Sequence, residues 1–238
     1  MLTVAKFLIG NMPMGNIFFS RRICFASKPP MFYLLVIFIL PFSQPDAKLS
    51  APSPLAKYSS QWNQAKYQKC NTAANANYLS AKEKEVIYIL NCARTNPKLF
   101  AATVLKQYRD FSPYGYLANA DEFPSLLDTM QNPEPLNLLY PDELCFKSAE
   151  CHAKTSGVEG YVGHERRNSA CLKKKYFNGE CCDYGHGEPL DIIMSLLVDD
   201  GVPSLGHRFV CLSSYNKIAV SIQSHKAYGV TAVLDFKY

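Results

Sequence analysis

Four short patterns stand out in this chain, three of them carrying histidines or acids with the chemistry to bind or react. They are Asn91-Cys-Ala-Arg94-Thr-Asn-Pro97, Gly163-His164, Asn178-Gly179-Glu180 and Asp199-Asp200-Gly201-Val-Pro-Ser-Leu-Gly206-His207-Arg208. Neutral imidazole is a good ligand for a divalent metal, and a carboxylate can bind the ion or orient a metal-bound water. A single loop histidine, however, is more often solvated or hydrogen-bonded than a ligand. The patterns gain meaning only where a fold brings them together.

The other histidines have plainer readings. His152 falls on the apolar side of a helix, where a hydrogen-bonded core role is expected. His186 sits in a Gly-His-Gly-Glu188 turn that could supplement a cleft, and His225 lies at a hairpin tip, open to solvent. Glu165 follows His164 and in extended chain points to the opposite face. Arg94 and Arg208 are expected to pair with acids or cap loops, and Asn91 to bond local backbone. Nucleophile chemistry finds little support. Ser204 lacks the glycine two residues earlier that a nucleophile elbow needs, and no H-E-x-x-H zincin pattern is present.

The elements that must position these groups are legible in part. Ser80-Ala-Lys-Glu83 is a capping box, and Val86, Ile87, Leu90 and Ala93 follow at helical spacing up to a stop near Thr95 before Pro97. A second helix is expected from Pro97 to about Tyr108, then a long loop or short helical turns over 109–135. A third helix spans Asp142 to Ser156, with Leu144, Cys145, Ala149 and His152 along one side. Residues 157–188 read as irregular. A fourth helix starts at Glu188-Pro189, buries Ile192, Ile193, Leu196 and Leu197, and ends at Asp200-Gly201. Lys217–Ser224 and Gly229–Lys237 alternate around a turn as a β-hairpin. Helices early and strands late imply an α+β fold rather than a parallel sheet.

Charge and cysteines bear on location. The net charge is +5, but residues 1–45 hold Lys6, Arg21, Arg22, Lys28 and no acid. The rest therefore has 25 − 4 = 21 basic against 20 acidic residues, which removes a basic-patch argument for nucleic acid. Phe32–Leu40 is an apolar run with a positive N-terminal flank, the pattern of a signal peptide cleaved between Ser43 and Ala56. It is too short for a stable membrane span, the alternative being an uncleaved anchor. Translation from Met31 would give a shorter leader. Ser43–Ser60 reads as a flexible linker, giving a leader (1–45), a linker and N-terminal extension (46–79) and a folded domain (80–238). Cys24 lies in the leader. The other eight cysteines, Cys70, Cys92, Cys145, Cys151, Cys171, Cys181, Cys182 and Cys211, are expected to form disulfides in an oxidising, extracellular setting. Adjacent Cys181 and Cys182 should then bond different partners.

In order and spacing, these patterns resemble the CAP superfamily of cysteine-rich secretory, antigen-5 and pathogenesis-related proteins. The similarity runs from Ser80 to Tyr238 and is nearest a bacterial-like branch. It is carried by Leu90-Asn-Cys-Ala-Arg-Thr-Asn-Pro97, Leu144 to Ala153 ending in a His-Ala pair, Leu-Leu-Val-Asp-Asp-Gly-Val-Pro-Ser before Gly206-His207-Arg208, and the closing hairpin through Phe236. The resemblance implies a three-layer α-β-α sandwich with a broad cleft faced by two histidines and two acids. His164 and His207 match the histidines, which in the family can hold a divalent cation, often zinc. Glu180 matches the first acid and Asp199 or Asp200 the second, with a reach one methylene shorter than the usual glutamate. Cys181 stands where an asparagine is common and Leu205 where near relatives have arginine. Two histidines leave coordination positions open, so binding should be weak and pH-sensitive. The implied function is a secreted, non-enzymatic effector that binds a protein, sterol or other lipid. The alternative is a metal-dependent hydrolase, perhaps a peptidase, using His164, His207 and Glu180.

Overall fold

Ser80 begins the first long helix as its capping box requires: its hydroxyl accepts from Glu83 N at 3.3 Å, and Glu83 Oε2 accepts from Ser80 N at 2.7 Å. The other Glu83 oxygen accepts from Ile222 N at 2.9 Å, so the cap also ties this helix to a strand far along the chain. The computed structural model describes residues 51–131 and 133–238. The expected leader (1–45), Cys24 and the expected cleavage window up to residue 50 lie outside the described residues.

In chain order the described elements are α1 (Ala65–Gln68), α2 (Ala81–Thr95), α3 (Pro97–Phe100), α4 (Lys106–Phe111), α5 (Phe123–Gln131), β1 (Tyr140–Pro141), α6 (Glu143–Glu159), α7 (Ser169–Lys173), β2 (Gly179–Tyr184), α8 (Pro189–Val198), α9 (Gly206–Cys211), β3 (Lys217–His225) and β4 (Gly229–Lys237). The strands form one mixed sheet in the order β1-β3-β4-β2, with β1 parallel to β3 and the remaining pairs antiparallel. Helices and a mixed sheet make the α+β class expected from the sequence. Among the described residues no helix is long and apolar enough to cross a membrane.

Side-chain alternation sends consecutive residues of β2 to opposite faces. Cys182 and Val233 pack with Ala149 and Ala153 of α6, whereas Cys181, Val220 and Leu234 join the larger core with α2 and α8. Gly157 lets α6 approach β3, because a Cβ there would lie 2.1 Å from Ser224 O. Buried Arg94 donates to Asn137, Cys211, Ser213 and Tyr215 carbonyls, pinning the chain after α9 to α2. Asn91 bonds backbone as expected, but distant rather than local: it accepts from Leu139 N and donates to Leu139 O and Cys70 O.

Four local expectations are corrected or refined. The flexible-linker reading fails over 51–60, where Leu55 and Tyr58 are buried; Trp62 follows, fully buried, donating to Thr103 Oγ1 at 3.1 Å. These apolar residues enter the core singly, without a period to betray them. The 109–135 segment contains α5, which buries Leu126 and Met130, and Pro124 is tolerated in its first turn. The second helix runs past Tyr108 to Phe111 by way of a π turn, Ala101–Leu105. The irregular 157–188 stretch holds β2, whose first five residues are all buried and so show no alternation of hydropathy.

One of the expected disulfides is present among the described residues. Cys151 and Cys171 form a disulfide between α6 and α7, while Cys70, Cys92, Cys145, Cys181, Cys182 and Cys211 are buried thiols.

Candidate functional site

His164 is aimed by the glycine before it. Gly163 adopts φ 102°, donates its N–H to Tyr184 Oη at 2.9 Å and accepts from His152 Nε2 at 2.9 Å. Its neighbour then presents Nδ1 to Glu180 Oε1 at 2.9 Å, the glutamate being buried on β2 and the imidazole more than half exposed. His207 is held in a parallel way from the opposite side. Asp199 ends α8 with φ 61°, a left-handed conformation that aspartate tolerates better than most residues. Its Oδ1 meets His207 Nδ1 at 2.7 Å, while Oδ2 accepts from His207 N at 2.9 Å and from Arg208 N at 3.4 Å. Leu205 also has positive φ, 49°, so two non-glycine residues hold the 199–207 loop in its shape. Arg208 seals the C-terminus of α8 by donating to Leu197 O at 2.6 Å and Val198 O at 2.8 Å.

These two dyads face one another, with ring centroids 5.9 Å apart. An ionised carboxylate only accepts, so each Nδ1 carries a proton, and in the neutral imidazole each Nε2 then keeps its lone pair. Of the two possible second acids the structure selects Asp199: it is buried and bonded to His207, whereas Asp200 is exposed. The missing methylene is made up by backbone position, since Asp199 sits in the turn just beyond the helix. His164, Glu180, Asp199 and His207 thus come together, and Asp200 lies at the rim of the cavity beside His207.

Arg166, unremarked in the sequence, organises the base of the site. Its guanidinium contacts Glu180 Oε2 and lies 3.5 Å from Asp235 Oδ2, with all three side chains buried. Glu180 and Asp235 are directly paired across β2 and β4, a like-charge juxtaposition that is unfavourable without an intervening cation. Burial pushes Glu180 upward, but hydrogen bonds from His164 and Arg166 and the Arg166 charge outweigh it, holding the carboxyl down to about 2. Burial and the Glu180 charge push Asp235 well above its ordinary value. A sequence signal for Arg166 exists only in its nearness to His164; Asp235 needs the strand register.

His186 proves to be more than a turn residue. It lines the same cavity of about 240 Å³ as Asp199, Asp200 and His207. Its Nδ1 meets Asp183 Oδ1 at 2.8 Å, making a third imidazole–carboxylate pair, and its buried Nε2 has no partner. Burial pushes its pKa down, and the Asp183 hydrogen bond and charge reverse that to a net rise. His225 is corrected outright. It is buried rather than solvated, with Nε2 donating to Tyr161 O at 3.1 Å and Nδ1 accepting from Ala227 N and Tyr228 N, which caps the hairpin turn. Glu165 stays outside the site beside Arg167, as alternation implies.

A second grouping lies beneath the first. His152, Glu180 and Cys182 are buried with donor atoms within 4.8 Å of one another, a set that could hold a metal ion. His152 meets the expected core role through Nε2, yet its buried Nδ1 is without a partner. Arg166 already occupies one Glu180 oxygen, which disfavours a cation at this deeper position relative to the outward-facing imidazoles.

No family model matches this chain, no curated protein matches it, and no solved structure matches it.

Proposed function

We propose that this chain is a secreted CAP-type binding protein, a three-layer α-β-α sandwich whose cleft takes a divalent cation, zinc by preference, between His164 and His207. One observation carries the reading: two imidazoles 5.9 Å apart, each with Nδ1 backed by a buried carboxylate and Nε2 left free. That is the arrangement by which outer carboxylates orient histidine ligands and raise their basicity. When bound, the cation would supply a Lewis-acid centre that can draw an oxygen ligand of a partner into the cleft. The chain's own part is to fix both rings, through Glu180 and Arg166 on one side and Asp199 and the α8 terminus on the other. Packing of α6 on one sheet face and of α2 and α8 on the other supports the layered architecture. The leader over 1–45 supports export, and an extracellular protein, sterol or other lipid is the partner class.

A non-enzymatic role is favoured over hydrolysis by the state of Glu180. A general base needs a free oxygen within reach of the proton it takes, and both Glu180 oxygens are engaged, one by His164 and the other by Arg166. The test is a zinc titration of refolded protein beside a peptidase screen. Binding lost in His164→Ala and His207→Ala without turnover in the wild type supports the effector reading. Metal-dependent turnover abolished by Glu180→Gln would establish the hydrolase instead, and unchanged affinity in both histidine variants would dismiss the cation site.

A further inference from the structure

We propose that Cys181 and Cys211 are an oxidation site, closing to a disulfide that bolts β2 to α9 and fixes the two halves of the cleft against one another. Their sulfurs lie 3.9 Å apart, both side chains are fully buried, and Cys181 Sγ also lies 3.6 Å from the carbonyl of His207. A disulfide needs the sulfurs to approach to about 2 Å, a further closure of about 2 Å from their present 3.9 Å.

The choice of partner follows from the sheet. Cys182 is turned to the α6 side with Ala149 and Ala153, so it does not compete for Cys211. Cys70 and Cys92 interact with each other, and Cys151 is already bonded to Cys171.

The position of the pair gives the bond its consequence. Cys181 follows Glu180 on β2, and Cys211 closes the helix whose first turn carries His207. The loop it would close, 181–211, contains Asp183, His186, Asp199 and His207, every cleft group outside the His164–Glu180 side. The bond therefore holds the left-handed 199–207 loop against the strand that presents Glu180. This consequence rests on the cleft reading above; the bond itself does not.

Formation belongs to folding, before both thiols are buried, with a low-molecular-weight disulfide such as glutathione disulfide as oxidant. One cysteine thiolate attacks a sulfur of that disulfide, giving a mixed disulfide and releasing one thiolate. The second cysteine thiolate attacks the protein sulfur and releases the other. Two electrons and two protons pass from the cysteine pair to give two small thiols, so the exchange balances.

The experiment is refolding of the full chain in a glutathione redox buffer, alkylation of free thiols, and peptide mapping without reduction. A Cys181–Cys211 cross-link is expected, in the wild type and in Cys182→Ala alike. Alkylation of both residues, or their linkage to other cysteines, would overturn the proposal. The cleft consequence is read by hydrogen exchange over 199–207 and by zinc affinity, comparing oxidised wild type with Cys211→Ala and Cys211→Ser. Exchange is expected to quicken and affinity to fall about fivefold or more without the bond. Unchanged exchange with the bond mapped would refute the fixing of the cleft. Absence of zinc binding in every form, with the bond mapped and exchange altered, would instead refute the cation reading alone.

Discussion

Replacing Asp199 by asparagine changes shape least and hydrogen-bonding logic most. The aspartate accepts from three donors at 2.7, 2.9 and 3.4 Å: the His207 ring, the His207 amide and the Arg208 amide. Asparagine tolerates the same left-handed backbone, but only one end of its amide can accept. If its oxygen faces the two backbone amides, its NH₂ meets His207 Nδ1 and drives the ring proton to Nε2, the atom a cation needs. If it turns the other way, the NH₂ opposes two buried N–H donors. Lost charge-assisted hydrogen bonds to a buried acceptor cost about 1–3 kcal/mol, and removal of a ligand-orienting carboxylate typically weakens metal affinity by about 10–100-fold. Zinc competition against a chromophoric chelator reads the affinity, urea denaturation reads the stability, and long-range nitrogen–proton correlation reads the His207 tautomer. Affinity within about twofold of the wild type, with the Nδ1–H tautomer retained, would refute the reasoning.

Acid should uncover the Glu180 arrangement. Its folded pKa is depressed from 4.5 to about 2, so the stability it contributes is present above about 4.5 and is lost as pH falls through about 2. Glu180→Gln should show a flatter acid limb in pH-dependent denaturation, and parallel limbs would count against the coupling. Trp62→Ala should cost about 3–5 kcal/mol in the same assay, because this indole is fully buried and bonded to Thr103; a negligible change would restore the view that the N-terminal segment is only loosely attached.

Local signals in the chain were sufficient for the elements they govern. The capping box at Ser80, Pro97 and Pro189 at helix starts and the alternation after Lys217 each act within a few residues, so α2, α3, α8 and the closing hairpin lie where the sequence places them. The same is true of the four chemical motifs as motifs. What failed was periodicity where it had nothing to register: β2 is buried on both faces, and the 51–62 segment inserts isolated side chains into a core made elsewhere.

By itself the sequence determined the α+β class and the starts of α2, α3, α6 and α8, and through its family resemblance it nominated His164, Glu180 and His207 as candidates. Tertiary structure alone decided that Asp199 rather than Asp200 lies against His207, that Arg166 bridges two opposed carboxylates, and that His186 enters the cavity. It also decided that Cys181 meets Cys211 and Cys182 does not. Caps and hydropathy periods are written in neighbouring residues. Strand register, the hand of a helix-terminating turn and contacts across 14 to 69 positions of chain are settled only when the layers pack.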